Sequence, residues 1–317
     1  MNTPTSTRYF TNEETKQALR MPEAVEAVRK AFIQLSSGRA LVPPRTSLEI
    51  PGYRTTVLAM PAYLPDSGRA GLKLISLCDD NPAKGLPLAH AVTVIMDAGT
   101  GVPLAVMDAG YPTAVRTGAA AGAATAALAR RDARVAAVFG AGVQGRTQLE
   151  ALAAVRPLRK ALIFDINAQA AAAFAAEMGR KLSIEVEPAP APESLREADI
   201  ISTATTSSTP VFRDGDLKPG VHINAFGSYK PHVREIPGET MARAGIFVDD
   251  RTACLAETGD LLIPIREGLI TEAAIRAEIG EVLAGLKPGR RSEDEITVFK
   301  SVGSAVQDLA VADLVIG

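Results

Sequence analysis

Three glycines near the middle of the chain, Gly140, Gly142 and Gly145, stand between an apolar run and a helix-forming segment. Gly140 allows a tight turn, Gly142 lets the backbone approach a diphosphate, and Gly145 lets the helix lie close to its strand. The free N–H groups of the first helical turn would point at the anion. This context predicts a dinucleotide diphosphate site, the alternative being a glycine turn of another α/β unit.

A carboxylate that could select the cofactor follows at the end of the next apolar run. Asp165 lies 20 positions after Gly145 and could accept hydrogen bonds from the adenosine ribose hydroxyls. It would repel a 2′-phosphate, and the two residues after it bring no positive charge. The sequence therefore favours NAD(H) over NADP(H), although Arg146 and Lys160 could supply that charge.

Two cationic residues have spacings that suggest chemistry. Arg116 falls in the first turn of a predicted alanine-rich helix that begins at Tyr111, where a bound carboxylate would be its natural partner. The alternative is a surface arginine paired with an internal acid. Lys73, in an apolar strand, is either an edge-strand charge or a desolvated functional amine. Arg45 and His90 predict nothing by themselves, and a histidine between alanines is typical of a protein core.

Small hydroxylated residues mark a second part of the expected crevice. Thr203, Ala204 and Thr205 follow a predicted strand, and strand ends of this kind line the nucleotide crevice of parallel sheets. The next strand, 221–227, would pass beneath the nicotinamide.

Composition bounds the class of protein. The chain has 317 residues, 47% of them hydrophobic, and a formal charge of −2, with no basic run that would suggest nucleic acid or a membrane surface. Two separated cysteines and three scattered histidines indicate neither a disulfide framework nor a metal site, and Cys78-Asp79-Asp80 carries little weight for a metal. The N-terminus lacks a signal-peptide core, and no apolar run could cross a bilayer, so we expect a cytoplasmic protein.

The arrangement of apolar runs predicts the elements that position these residues. The first part of the chain is β-rich, with a hairpin predicted from strands 89–96 and 102–108 and one flanking helix that begins at a capping box of Thr11 and Glu14. Strands and helices alternate from Val135 onward, beginning with predicted strands at 135–139 and 161–166. Alternation of this kind indicates a parallel doubly wound sheet. The predicted fold is α/β, a Rossmann domain over residues 119–297 and a β-rich α+β substrate and dimerisation domain over 1–118 and 298–317.

Several motifs in order resemble those of the ornithine cyclodeaminase/mu-crystallin family, over nearly the whole chain. They are VPPRTSLEI, GLKLISLCDDN, TGVPLAVMDAG, TAVRTGAAAG, VFGAGVQG, PGVHINAFGS, AETGD and ITVFKSVGSAVQD. The resemblance implies a homodimer that binds NAD(H) and a small cyclic imino acid or amino acid. It also implies that Arg45 and Arg116 hold the substrate carboxylate, and that Lys73 hydrogen-bonds near the reacting centre. It further implies cofactor contacts at Gly142, Val143, Gln144, Asp165 and Asn167, and a place near the nicotinamide for Phe226, Glu257, Ser301 and His90. The full set of predicted cofactor-binding residues also includes Thr117, Gly140, Gly145, Thr203, Ala204 and Thr205.

One departure from the family pattern bears on the activity. Cyclodeaminases and the related alanine dehydrogenases carry an aspartate two positions after the glycine ending this strand, where this chain has Tyr229. A tyrosine, with a reference pKa of about 10, is a poor base near neutrality. The resemblance therefore implies a ketimine reductase that converts Δ1-pyrroline-2-carboxylate to L-proline, or Δ1-piperideine-2-carboxylate to L-pipecolate. The candidate proton donor is Lys73, or a water held by Lys73 with Ser228 or His90. Ornithine cyclodeaminase, amino-acid dehydrogenase and mu-crystallin-like binding protein remain alternatives.

Overall fold

The computed structural model describes residues 6–189 and 191–317; residues 1–5 and 190, within the two predicted domains, lie outside the described residues. The chain divides into two compact units. Unit 1 runs up to Arg116 and includes Ser304–Gly317, and unit 2 is Thr117–Gly303. The chain thus passes between units two residues before, and six residues after, the predicted boundaries at 118 and 297.

The described strands are β1 (Arg8–Phe10), β2 (Thr46–Ile50), β3 (Thr55–Leu64), β4 (Arg69–Cys78), β5 (Ala89–Asp97), β6 (Pro103–Asp108), β7 (Val135–Phe139), β8 (Lys160–Phe164), β9 (Glu185–Pro188), β10 (Ile200–Thr203), β11 (His222–Ala225), β12 (Gly245–Val248), β13 (Ile275–Glu278) and β14 (Thr297–Lys300). The described helices are α1 (Asn12–Ala18), α2 (Met21–Ser36), α3 (Gly110–Leu128), α4 (Val143–Val155), α5 (Ala168–Leu182), α6 (Gly238–Arg243), α7 (Arg251–Glu257), α8 (Gly259–Arg266), α9 (Ile279–Leu283) and α10 (Ala305–Ile316).

Unit 1 is built on a six-stranded sheet in the order β1-β6-β5-β4-β3-β2. The strands from β6 to β2 pair antiparallel, including the predicted β5–β6 hairpin, and β1 joins parallel to β6. Helix α10 packs on α2 and on β3, β4 and β5. A Cβ at Gly71 would lie 2.9 Å from Leu309 of α10, so this glycine permits close packing of helix and sheet.

The N-terminal helical region differs from the prediction. Thr11 and Glu14 form the expected capping box at the start of α1. The single predicted helix is nevertheless two, because α1 ends at Ala18 and α2 begins at Met21. Pro22 lies in the first turn of α2, where the backbone N–H that proline lacks is not needed for a helical hydrogen bond. The same residue could not continue a preceding helix, because it cannot donate to the residue four positions earlier.

Unit 2 contains an eight-stranded parallel sheet in the order β13-β12-β14-β11-β10-β7-β8-β9. Both faces of β7 are buried: Ala136 and Val138 join a core that includes residues of α4 and α5, whereas Ala137 and Phe139 join one that includes residues of α6, α7 and α8. Helices on both faces of a parallel sheet define a doubly wound fold. The predicted fold class is confirmed.

Helix α3 is alanine-rich because it is enclosed. Ala119, Ala120 and Ala121 are fully buried, and a Cβ at Gly118 would lie 2.4 Å from the carbonyl oxygen of Thr147, so that side chain size is limited here. A helix without a polar face is typical of a protein core. Strand β13 was not predicted, since Ile275–Glu278 includes two charged residues and only a weak apolar alternation.

Candidate active site

The glycine turn of unit 2 has the geometry that the sequence predicts. Gly140 has a φ of +102°, a conformation that disfavours side chains, and a Cβ there would lie 2.5 Å from the Ala204 carbonyl oxygen. A Cβ at Gly145 would overlap the Gly140 carbonyl oxygen, whereas a Cβ at Gly142 meets nothing within 4 Å. Gly142 precedes the first turn of α4 and has open space beside it, so this turn fits a diphosphate.

Asp165 lies directly after β8, rather than within a strand that continues to Ile166. Its carboxylate accepts hydrogen bonds of 2.7 Å from the backbone N–H groups of Ala141 and Asn167. Asn167 in turn caps α5, accepting from the N–H of Ala170 at 3.0 Å. The carboxylate is therefore fixed beside the glycine turn, where an adenosine ribose would lie.

The two cations that could have reversed the cofactor preference are both engaged. Arg146 pairs with Glu177 at 2.8 Å and also donates to the carbonyl oxygen of Ala141. Lys160 is 3.0 Å from both Glu187 and Glu197, which raise the pKa of its ammonium. Neither side chain is left free for a 2′-phosphate.

Glu235, which the sequence analysis gave no role, holds the strand ends of unit 2 together. This fully buried carboxylate accepts hydrogen bonds of 2.7 Å from the hydroxyls of Thr203 and Thr205 and from the backbone N–H groups of Thr205 and Gly227. Burial raises the pKa of Glu235, with Asp260 contributing. The predicted loop after β10 and the end of β11 are thus positioned by one acid.

A buried ion pair supports Glu235 from the other side. Asp260 accepts hydrogen bonds from the backbone N–H groups of Glu235 and Ile236 through one oxygen. Its other oxygen lies 2.9 Å from the Lys300 ammonium, and both side chains are fully buried. Asp260 of α8 and Lys300 of β14 therefore both stabilise the loop around Glu235: Asp260 contacts the loop directly, and Lys300 neutralises Asp260.

Two predicted serines are already hydrogen-bonded within unit 2. Ser301 donates to the Asp249 carboxylate at 2.6 Å. Ser228 is fully buried, with its hydroxyl 2.7 Å from the Val233 carbonyl oxygen and 2.9 Å from the Thr258 hydroxyl. Ser228 therefore has little capacity left to hold a reacting water.

The remaining predicted cofactor residues occupy unit 2 as follows. Phe226, just past β11, makes an edge contact with Phe299 at 5.8 Å between ring centroids. Ala204 donates its N–H to the Phe139 carbonyl oxygen at 2.9 Å. Val143 and Gln144 begin α4, Thr117 lies in α3, and Glu257 ends α7. Their cofactor contacts stay predictions.

Unit 1 contains a separate cluster of buried charges around Lys73. This lysine is 2% exposed on β4, and its ammonium lies 2.7 Å from Asp308 of α10. Arg116 lies 3.0 Å from the other oxygen of the same carboxylate and donates to the Gln307 side-chain oxygen at 2.7 Å. Burial, with the positive charges of Arg116 and Arg45, lowers the pKa of Lys73 to about 8. Lys73 is thus a desolvated amine, not an edge-strand charge.

The position of Arg116 corrects the reasoning used for it. Helix α3 begins at Gly110, so Arg116 lies in the second turn and not in the first. Its guanidinium is buried and paired with an internal acid, Asp308, instead of lying at a free helix N-terminus. The buried charges of Lys73 and Arg116, and not the helix dipole, make this site suitable for an anion.

We call Arg45, Lys73 and Arg116 the cation cluster, because the charges of both arginines act on the Lys73 ammonium. The carboxylate that acts on the same ammonium is Asp308. The Gln307 Nε2 group is buried and has no hydrogen-bond partner among residues 6–189 and 191–317. Two buried cations that share one carboxylate, with this amide donor beside them, fit a carboxylate ligand.

His90 lies apart from the cation cluster. Thr93 of β5 is the register partner of Lys73, whereas His90 pairs with Ser76. Side chains alternate along a strand, so His90 projects from the face of the sheet opposite to Lys73. His90 therefore does not share the sheet face of Lys73, and its role near the nicotinamide stays a prediction.

Sequence reasoning missed four acids that organise these sites: Glu235, Asp249, Asp260 and Asp308. Asp260 and Asp308 are part of the motifs AETGD and AVQD, and Glu235 follows the strand-end glycine by eight positions. A lone acid in or beside an apolar segment is a usable signal, since buried carboxylates need partners. Across the described ranges no group of three His, Cys, Asp or Glu side chains could hold a metal ion, and no helix is long and apolar enough to span a bilayer.

The parallel sheet with its glycine turn makes unit 2 a Rossmann-type dinucleotide-binding fold, joined in one chain to a unit that is mostly antiparallel and contains the cation cluster. That combination is the class of two-unit oxidoreductases acting on small acids. More narrowly, the chain belongs to the ornithine cyclodeaminase/mu-crystallin family, whose sequence profile matches residues 6–317.

Known relatives agree with this assignment. The Thermococcus litoralis Δ1-pyrroline-2-carboxylate reductase, solved with NADH and L-proline, has 42% identity and a TM-score of 0.95, covering 98% of this chain and 96% of its own. A Bacillus cereus Δ1-pyrroline-2-carboxylate reductase is 39% identical over 94% of this chain and 92% of its own. An archaeal alanine dehydrogenase dimer with bound NAD has 39% identity and a TM-score of 0.92, covering 98% and 95%. All three are oxidoreductases, as the sequence predicts.

Proposed function

We propose that this chain is an NADH-dependent reductase of Δ1-pyrroline-2-carboxylate that forms L-proline, and that it also reduces Δ1-piperideine-2-carboxylate to L-pipecolate. The observation that carries the proposal is the cation cluster, in which the buried Lys73 and Arg116 share Asp308 and the charge of Arg45 also acts on Lys73. The identity to two pyrroline-2-carboxylate reductases supports the choice of substrate.

The substrate carboxylate would be held by Arg45 and Arg116. A guanidinium binds a carboxylate through two parallel hydrogen bonds, which fixes the orientation of the ring as well as its position. The unpartnered Gln307 amide is a further donor for the same anion. Fixing a reactant in this way lowers the activation free energy by several kcal/mol.

Lys73 is our candidate proton donor to the imine nitrogen. Its pKa of about 8 leaves it protonated at neutral pH and close to the value best suited to proton transfer there. The Ser228 hydroxyl is already engaged, and His90 projects from the other sheet face. Bound NADH would supply the hydride.

We infer that NADH is preferred over NADPH. Asp165 accepts hydrogen bonds beside the glycine turn, and its charge would repel a 2′-phosphate. Arg146 and Lys160 are each paired with acids, and the adjacent Ile166 is fully exposed and uncharged. Nothing in this segment would compensate the phosphate charge.

The principal alternative is an amino-acid dehydrogenase, because an archaeal alanine dehydrogenase has nearly the same identity to this chain. Oxidative deamination needs a base beside the substrate amino group. At the position where the family's deaminating members carry aspartate, this chain has Tyr229, which is 38% exposed. The same residue argues against ornithine cyclodeamination.

We also infer a homodimer in the cytoplasm. The face of the unit 1 sheet opposite to Lys73 presents Leu48, Leu74 and Val92, which are 58%, 44% and 38% exposed. Leu74 and Val92 are register partners on β4 and β5, and Leu48 lies on β2, beyond β3. An apolar patch of this kind is typical of an interface, and the related alanine dehydrogenase is a dimer. The two unpaired cysteines are consistent with a reducing compartment.

One assay panel tests the activity. The purified protein is given Δ1-pyrroline-2-carboxylate with NADH or NADPH, ornithine with NAD⁺, and pyruvate plus ammonia with NADH. We expect NADH oxidation with the cyclic imine and a lower kcat/KM with NADPH. Faster turnover of pyruvate and ammonia would favour the alanine dehydrogenase, and proline formation from ornithine alone would contradict the proposal.

A further inference from the structure

Asp308 is a buried residue of unit 1 that contacts both Lys73 and Arg116 but has no role in the proposed chemistry. It lies in the first turn of α10, with a side chain 4% exposed, and it contacts two cations that come from different elements. One carboxylate oxygen is 2.7 Å from the Lys73 ammonium and the other is 3.0 Å from the Arg116 Nε atom.

We propose that Asp308 is a positioning residue, which keeps Lys73 protonated inside the buried cluster and sets the spacing between Lys73 and Arg116. This inference rests on the proposed reductase function, because it concerns the same site. Asp308 would not touch the substrate; it acts through the two cations that do.

The charge balance of the cluster is the first argument. The charged groups that act on the Lys73 ammonium come from three elements: Asp308 of α10, Arg116 of α3 and Arg45 before β2. The register partners of Lys73 on β3 and β5, Met60 and Thr93, are uncharged. Among these groups only Asp308 favours the charged amine, whereas burial and both arginines oppose it. Without the carboxylate, Lys73 would lose its proton at a lower pH.

The geometry of the carboxylate is the second argument. Because each oxygen faces a different cation, a single rigid group fixes the distance between the proton donor and a carboxylate-binding guanidinium. Gln307, the residue before Asp308, fixes the other end of the Arg116 guanidinium at 2.7 Å. The first turn of α10 therefore orients Arg116 from two sides.

The test replaces Asp308 with asparagine, which keeps the shape of the side chain and removes its charge. The matched control is Asp313→Asn, the same change on the same helix, where the acid pairs with the partly exposed Arg69 at 3.1 Å. Both variants and the parent are assayed for kcat/KM with Δ1-pyrroline-2-carboxylate and NADH between pH 5.5 and 9. Protonation of the substrate itself affects all three enzymes equally, so the ratio of parent to variant isolates the protein.

For Asp308→Asn we expect the alkaline limb of the profile to move down by about one to three pH units. The ratio of parent to variant should be small in acid and grow about tenfold per pH unit up to pH 8, where the parent also loses its proton. The Asp313→Asn ratio should stay flat. A flat Asp308→Asn ratio would mean a merely structural role and would overturn the inference.

A second measurement does not depend on turnover. The titration of Lys73 is followed by NMR of protein labelled with ¹³C at lysine Cε, and its signal is assigned through Lys73→Arg. We expect its midpoint to be lower in Asp308→Asn than in the parent, and an unchanged midpoint would contradict the inference. If the parent fails to reduce the cyclic imine, the proposed function fails, while this titration still decides the role of Asp308.

Discussion

Replacing Lys300 with methionine is the sharpest test of how unit 2 is held together. The substitution keeps the length and apolar stem of the side chain but removes the ammonium that lies 2.9 Å from Asp260. Both side chains are fully buried, so the Asp260 carboxylate would remain in the core, and its donors among the residues that the structure describes would be the N–H groups of Glu235 and Ile236.

The expected decrease in the free energy of unfolding follows from the burial of this ion pair. Breaking a buried ion pair by removing one partner costs about 3–5 kcal/mol, since the other charge is left uncompensated. For a unit of this size each kcal/mol lowers the Tm by roughly 2–4 °C, which gives a decrease of about 6–20 °C. Because Asp260 positions the backbone of Glu235, and Glu235 positions the loop after β10, NADH binding should weaken as well.

Thermal unfolding monitored by circular dichroism measures the first effect, and titration of NADH fluorescence measures the second. Lys160→Met is the matched control, because Lys160 forms its ion pairs at the surface of the same unit. Partly exposed pairs contribute about 0–1 kcal/mol, so its Tm should change little. If Lys300→Met were no less stable than Lys160→Met, the reasoning about this buried pair would be refuted.

Four further outcomes are expected. Arg116→Ala should lower kcat/KM for the cyclic imine at least about tenfold, from lost charged hydrogen bonds, with the Kd for NADH unchanged; equal loss of both would show that Arg116 is misassigned. Gly145→Ala should unfold at a lower temperature, because the new Cβ would overlap the Gly140 carbonyl oxygen. Gly142→Ala has open space for its Cβ, so it should keep its Tm and lose affinity for NADH. A Gly142→Ala variant that lost stability but kept NADH affinity would contradict the diphosphate site. Asp165→Ser should lower the ratio of kcat/KM with NADH to kcat/KM with NADPH. An unchanged ratio would exclude Asp165 as the cause of the cofactor preference. Leu74→Arg should convert the proposed dimer to a monomer in light scattering, and a stable dimer of the variant would exclude this sheet face as the interface.

The sequence predicts most of the architecture because local patterns determine it. Strand β7 has the predicted bounds, and the glycine turn adopts the expected conformation, since an apolar run followed by glycines and a helix leaves few alternatives. The division of helix α1 from α2 was missed because the capping box at Thr11 and the apolar stripe that begins at Val25 were assigned to one helix, with no break placed at Pro22 between them. Strand β13 was missed because its charged residues hide the alternation.

The candidate site could be predicted only in part, because its partners are distant along the chain. Lys73 was left undecided between an edge charge and a buried amine, and only its contact with Asp308, 235 positions later, resolves the choice. The same holds for Glu235, whose partners lie on two other strand ends. A sequence shows which residues carry charge, but not which other residue neutralises that charge.

The order of the chain has a consequence for biosynthesis. Helix α10, which covers the sheet of unit 1 and carries Asp308, is joined to that unit only after all of unit 2 has been translated. A nascent chain that has completed strands β1 to β6 therefore holds an uncovered apolar sheet face with an unneutralised lysine in it. Unit 2 is continuous in sequence and can fold before α10 is translated, whereas the contacts of Asp308 with Lys73 and Arg116 form only after α10 has been made.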